Sequence, residues 1–208
     1  MFYWFAFSCL SLLSKIFCPF KVYGRQHITS SGSFILASNH LSNLDPFLVG
    51  LAVQRRISYM AKDVLFKNKI LAFLLKKVET FPVHRDGGDI KALRESLRRL
   101  KAGSPLLLFP TGTRMPSPGS ADIKAVIGFL VTHIRVPVVP VRIIGSDHVL
   151  PRGARRVKRH PIDIVFGEAM TFSEEKDYSR ISAEIMARIQ ALHPQETAPR
   201  SGIEERHI

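Results

Sequence analysis

The sequence predicts an α/β fold: one domain with a largely parallel sheet flanked by helices. Three observations lead there. Short apolar runs bounded by turn residues alternate with stretches of helical period, the rhythm of βαβ units. The 208 residues, 46% of them hydrophobic, are enough to bury one sizeable core, and no internal repeat interrupts them. Polar loops follow directly on several of the apolar runs, and parallel sheets gather their sites at the carboxyl ends of their strands.

The chain opens on Met1 to Ser14, a segment without charge that carries Tyr3, Trp4 and several phenylalanines. It is shorter than the roughly 20 residues a helix needs to cross a bilayer, and Lys15 and Pro19 interrupt any extension. It also lacks the basic start and small-residue cleavage site of a secretory signal. The expectation is an interfacial anchor with aromatic side chains at headgroup level; the alternative is a helix packed on the domain. Phe34 to Ser38 then reads as a buried strand, its apolar run Phe34 to Ala37 leading into Ser38-Asn39-His40-Leu41-Ser42-Asn43-Leu44-Asp45-Pro46. Asp45-Pro46 offers an N-cap followed by proline at the first helical position, with residues 47–55 as the helix.

Ile57 to Lys62 reads as a strand, and Phe66 to Val78 as a helix whose Ile70 to Leu75 stretch is apolar on every side, as in a helix that is deeply buried or faces lipid. Thr80 to Arg85 is a short strand delivering Arg85 to a strand end, before a Gly87-Gly88 break. Residues 89–101 form the clearest helix, with Ile90, Leu93, Leu97 and Leu100 on one face and a basic remainder. Leu106 to Phe109 is a buried strand leading into Pro110-Thr111-Gly112-Thr113-Arg114. A helix from about Ile123 to Ile134, a strand from Val136 to Ile144 and a last strand from Ile162 to Glu168 follow. Tyr178, Ile181, Ile185, Ile189 and Leu192 mark one face of a closing helix. The expected division is an apolar membrane anchor over residues 1–20, the domain over 21–194 and a loose polar tail over 195–208.

The formal net charge of +13 points to a polyanionic partner: nucleic acid, an anionic membrane surface or a phosphorylated substrate. The two cysteines, Cys9 and Cys18, both fall in the N-terminal segment and form neither a disulfide framework nor a metal spacing. His84, His133, His148 and His160 read as structural or surface residues, because none stands at metal-ligand spacing from another ligand. Three polar loops follow strands: His40 to Asp45, the loop at Arg85, and Thr111 to Arg114. The turn between His40 and Asp45 is long enough to fold back, so that the carboxylate accepts a hydrogen bond from one imidazole nitrogen. The other nitrogen is then free to take a proton near neutral pH, histidine ordinarily titrating at about 6.5. Arg85 and Arg114 bring two guanidiniums able to fork onto a phosphate. Taken alone, His40 and Asp45 also fit an ordinary loop residue and an ordinary helix cap.

Four blocks in order decide between these readings. Asn39-His40-Leu41-Ser42-Asn43-Leu44-Asp45-Pro46, Phe81-Pro82-Val83-His84-Arg85, Phe109-Pro110-Thr111-Gly112-Thr113-Arg114 and Val136-Pro137-Val138-Val139-Pro140-Val141 resemble the 1-acyl-glycerol-3-phosphate acyltransferases and their glycerolipid acyltransferase relatives. Met60-Ala61-Lys62 ahead of the second block and Lys124 after the third agree as well, and the resemblance runs from about Val22 to Glu168. It implies a catalytic pair, His40 and Asp45, and a substrate-binding set of Lys62, Arg85, Thr111, Gly112, Thr113, Arg114 and Lys124. One position departs from the pattern: the third block of this family normally reads Phe-Pro-Glu-Gly-Thr-Arg, and Thr111 stands at the glutamate. A lost charge-assisted contact there is worth roughly 1.5–3 kcal/mol, and it bears on the acceptor's identity more than on the reaction class.

The implied reaction is acyl transfer from an acyl thioester, on coenzyme A or acyl carrier protein, to a lysophospholipid hydroxyl, with no bound cofactor and no metal. The implied partners are an anionic membrane surface, the lysophospholipid and acyl carrier protein, with no nucleic acid, and the implied location is the cytoplasmic face of a membrane. Arg152, Arg155, Arg156, Lys158 and Arg159 form a basic cluster suited either to anionic headgroups or to plain solvation. Two other readings follow from Thr111: an acyltransferase for a different lyso-lipid, or a membrane-bound homologue without catalysis.

Overall fold

The computed structural model describes residues 2–84, 89–110, 120–151, 153, 154, 156–172 and 177–194, with backbone alone for 120–126. The strands are β1 (Phe20–Tyr23), β2 (Ile35–Ser38), β3 (Ser58–Lys62), β4 (Thr80–Val83), β5 (Leu106–Leu108), β6 (Val138–Ile144) and β7 (Ile162–Phe166). They form one sheet in the order β1-β7-β6-β2-β5-β3-β4. From β6 to β4 every neighbour is parallel, while β7 runs antiparallel to β6 and parallel to β1. The sheet is therefore largely parallel, as predicted, and β2, β3, β4, β5 and β6 all end on the same edge.

The central strand β2 explains the core. Ile35, Leu36, Ala37 and Ser38 are all fully buried, as expected of a parallel strand covered on both faces. Leu36 and Leu107 point to one side, where helix α2 (Asp45–Val53) packs Leu48, Val49, Ala52 and Val53 against Phe34 and Ile57. Ile35, Ala37, Leu106 and Leu108 point to the other, against α4 (Ile90–Lys101), α5 (Ser120–Ile134) and α7 (Tyr178–Ala191). In α7 the predicted apolar face is buried, Ile181, Ile185, Ile189 and Leu192 all being covered. The backbones of α5 and α7 meet closely at Gly128, where a Cβ would lie 2.6 Å from Tyr178 Cα.

Three expectations change. In α4 the buried stripe is Ala92, Ser96 and Leu100, flanked by Leu93 and Leu97, while Ile90 in the first turn is 62% exposed. The Ser96 hydroxyl is satisfied inside the helix by donating to the Ala92 carbonyl at 2.7 Å, so a polar residue fits the inner face. Nor is the basic side of α4 wholly solvated. Arg99 donates to Glu95, Ser58 and the Glu79 carbonyl and lies over the Phe81 ring, locking the helix to the amino ends of β3 and β4. The second change is in α3 (Lys69–Lys77), which has no buried residue, so deep burial is excluded for that apolar helix.

The third concerns the N-terminus. Helix α1 (Phe2–Phe17) continues past Lys15 and ends just ahead of Pro19, and β1 already begins at Phe20. One edge packs on the domain: Tyr3 is buried, its hydroxyl donating to the Arg55 carbonyl at 3.3 Å and lying 3.4 Å from the Tyr59 hydroxyl. The rest of α1 leaves Trp4, Phe5, Leu12, Leu13, Ile16 and Phe17 exposed. No helix among the described residues is long and apolar enough to cross a membrane. Residues 195–208 lie outside the described residues.

Candidate active site

The turn between β2 and α2 is built around one carboxylate oxygen. Asp45 Oδ2 accepts from His40 Nδ1 at 2.9 Å, from the Leu41 amide at 2.6 Å and from the Ser42 amide at 2.8 Å. Asp45 is not the N-cap the sequence suggests. Leu44 takes that position, Asp45 and Pro46 open the first turn, and the carboxylate is turned back into the loop rather than onto helix amides. The helix also stops at Val53, short of residue 55, where Gln54 adopts a left-handed conformation at φ 55°. A single acceptor oxygen holding two successive amides and the imidazole gives the six-residue turn its shape.

Burial sharpens the pairing. Asp45 is fully buried and the His40 side chain is 11% exposed. A carboxylate has only acceptors to offer, so the neutral imidazole places its proton on Nδ1 and leaves the lone pair on Nε2. Asp45 Oδ1 is buried with no hydrogen-bond partner among the described residues, so the hydrogen bonds this carboxylate makes there all fall on Oδ2.

Neighbouring elements hold the ring and the turn. Phe109, directly after β5, stacks on His40 with centroids 4.1 Å apart and planes at 19°. Asn39 donates through Nδ2 to the Ile143 carbonyl at 2.8 Å and accepts the Ile143 amide at 2.7 Å, so its side chain continues the β2–β6 ladder beyond Ser38. The Ser42 hydroxyl donates to the Leu150 carbonyl at 3.0 Å and accepts the Leu44 amide at 3.3 Å, tying the turn to the end of the short helix α6 (Ser146–Val149) that follows β6. None of these roles was read from the sequence. In the sequence Phe109 stands at the end of a buried strand, and Asn39 and Ser42 stand in the polar turn that carries the first block.

Lys62 is the last residue of β3, exposed, on the same edge of the sheet as His40. Arg85, Thr111, Gly112, Thr113 and Arg114 lie outside the described residues, although β4 and β5, which precede them, end on that edge. Lys124 is on α5 and its side chain also lies outside them. His84 pairs through Nδ1 with Asp63 Oδ2 at 3.0 Å, and its amide donates to Asp89 at 2.7 Å. Burial opposes the charge on Asp89, yet amide donors from His84, Ala92 and Lys91 hold its carboxyl below the usual range. Cys18 is buried in the core, where desolvation pushes its thiol up, the opposite of an activated nucleophile. No metal-binding group of three or more ligand side chains occurs among the described residues.

A buried carboxylate orienting a histidine at the carboxyl edge of a parallel sheet is an arrangement able to move a proton. The Acyltransferase family model matches residues 19–144, from the start of β1 to the end of β6 and so across the whole His40 turn. The chain belongs to the acyltransferase family and is an enzyme of that class, as its four ordered blocks implied. It is 27% identical over 173 residues to the 1-acyl-sn-glycerol-3-phosphate acyltransferase of Bacillus subtilis, covering 81% of this chain and 82% of that one. It is 27% identical over 161 residues to the enzyme of the same name from Streptococcus pneumoniae, covering 76% of this chain and 58% of that one. The crystal structure of PlsC from Thermotoga maritima, a 1-acyl-sn-glycerophosphate acyltransferase, shares the fold: TM-score 0.64, 24% identity, 96% of this chain and 78% of that one.

Proposed function

We propose that this acyltransferase moves a fatty acyl group from an acyl thioester, carried by coenzyme A or acyl carrier protein, to the free hydroxyl of 1-acyl-glycerol-3-phosphate, giving phosphatidic acid. The observation that carries the chemistry is the His40–Asp45 pair, with Nδ1 engaged by a fully buried carboxylate and Nε2 left to act. The acceptor rests on the names of the relatives above and on the four sequence blocks.

In this mechanism His40 Nε2 takes the proton of the acceptor hydroxyl while its oxygen attacks the thioester carbonyl, forming the new C–O bond. Asp45 stabilises the imidazolium that results. Collapse of the tetrahedral intermediate breaks the C–S bond, and the imidazolium returns the proton to the departing sulfur, so no acyl-enzyme forms and no cofactor is required. The Phe109 stack and the Asp45 bond together fix the plane of the imidazole, so its lone pair is aimed before substrate arrives. Arg85 and Arg114 clamp the acceptor phosphate, with Thr111, Gly112, Thr113, Lys62 and Lys124 completing its binding set. The protein works on the cytoplasmic face of an anionic membrane, held by the exposed aromatic side of α1.

The test is transfer of a labelled acyl group from acyl-coenzyme A or acyl carrier protein to lysophosphatidic acid, beside His40→Ala. The variant is expected to stay folded and lose about 10²–10⁴-fold in turnover. Full activity in it would sink the mechanism. A folded wild type inactive on lysophosphatidic acid but active on another lyso-lipid would place the specificity change at Thr111.

A further inference from the structure

Helix α3 is amphipathic the wrong way round for a soluble surface. Ile70, Phe73 and Leu74 recur at the i, i+3, i+4 spacing that normally marks a core face, yet they are 75%, 57% and 40% exposed. The helix lies against β4 and the 3-10 turn Asp63–Phe66, and the half-buried Ala72 and Leu75 are the apolar residues it covers best. Val64 and Leu65 in that turn are exposed as well and lengthen the patch toward the edge that carries His40. Lys67 and Lys69 flank the stripe at one end, Lys76 and Lys77 at the other, and no ion pair to a carboxylate is formed by any of them among the described residues. An apolar stripe bracketed by unneutralised ammonium groups is complementary to an anionic lipid interface, where stems and rings enter the acyl boundary and the charges meet phosphates.

We infer that α3, with the turn before it, is a second membrane-inserting element that seats the carboxyl edge of the sheet on an anionic bilayer. The handedness of the fold agrees with this. The crossovers β2-α2-β3 and β3-α3-β4 both step outward along the sheet, and right-handed connections place α3 on the same face as α2, against which α1 packs. Helices α1 and α3 thus lie on one face of the sheet. The inference extends the proposed membrane association but needs neither the acceptor nor the acyl donor named there, and its readout is not activity.

Because the chain has one tryptophan, Trp4, the double variant Trp4→Phe/Phe73→Trp makes position 73 the sole reporter. Vesicles of phosphatidylglycerol and phosphatidylcholine with brominated acyl chains are expected to blue-shift and quench its emission, and pure phosphatidylcholine to do so far less. Ile70→Ser/Phe73→Ser/Leu74→Ser in the natural background is expected to weaken anionic-vesicle binding by about tenfold or more while leaving circular dichroism unchanged. Vesicle binding with an unchanged, unquenched signal at position 73 would overturn the inference, leaving α1 as the sole anchor. So would a lipid-free blue shift that grows with protein concentration, which would identify the stripe as a contact with a second copy.

Discussion

At the scale of single residues, the molecule concentrates its chemistry on one aspartate oxygen. Asp45 Oδ2 sets the turn through two amides and the histidine through Nδ1, so the shape of the turn and the proposed proton transfer rest on a single atom. Asp45→Asn separates the two roles. The amide oxygen still accepts from Leu41 and Ser42, but the charge opposite the imidazolium is gone, so turnover is expected to fall about 10²-fold or more with KM little changed. Steady-state kinetics check this, and an unchanged turnover would show that Asp45 serves only the turn. His40 and Asp45 were legible in the sequence because turn chemistry is local: a histidine after an apolar run, then Asp-Pro opening a helix. Phe109 and Asn39 were not, because their partners stand 69 and 104 positions away in the chain.

At the scale of elements, helices are held by different means on the two faces of the sheet. Helix α2 is nearly all buried, Leu48 to Val53 without a gap. Helix α4 instead adds to its buried Ala92, Ser96 and Leu100 the Arg99 guanidinium, which reaches Ser58 and Glu79, while Glu95 bridges Arg98 and Arg99 along the helix itself. Hydrogen bonds from Arg98 lead in holding Glu95 at a pKa of about 2 against an ordinary 4.5; burial opposes them and Arg99 adds to them. The folded value lies below the unfolded one, so this contribution to stability is complete above about pH 4.5 and is lost as pH falls through about 2. Glu95→Gln is therefore expected to be less stable than the natural protein at neutral pH, with the gap closing toward pH 2. Denaturant midpoints measured across that range test it, and a gap independent of pH would show that the pair adds packing alone. The element order, and nearly every strand, followed from apolar period and Gly/Pro punctuation. The rotated inner face of α4 did not, since a satisfied serine hydroxyl makes a polar residue acceptable where the pattern expects an apolar one.

At the scale of the whole molecule, 30 Lys and Arg against 17 Asp and Glu lie behind a family fold whose site opens at one sheet edge. If charge brings the protein to anionic membranes, vesicle binding falls steeply as the Debye length shrinks from about 30 Å at 0.01 M salt to about 3 Å at 1 M. The apolar contacts of α1 and α3 then leave a residual that salt does not remove, which sedimentation with phosphatidylglycerol vesicles measures. Complete release at high salt would show that the exposed apolar faces do not enter the bilayer. The sequence by itself determined the α/β order, the family and the His40–Asp45 pair, because periodicity, turn chemistry and block spacing are all properties of neighbouring residues. Only the tertiary structure decided that Asp45 turns back to hold two amides, that Phe109 covers the imidazole, and that α3 shows its apolar stripe to the outside. Those outcomes depend on which distant segments the parallel sheet brings together and which helix faces it leaves uncovered, and no local pattern encodes that.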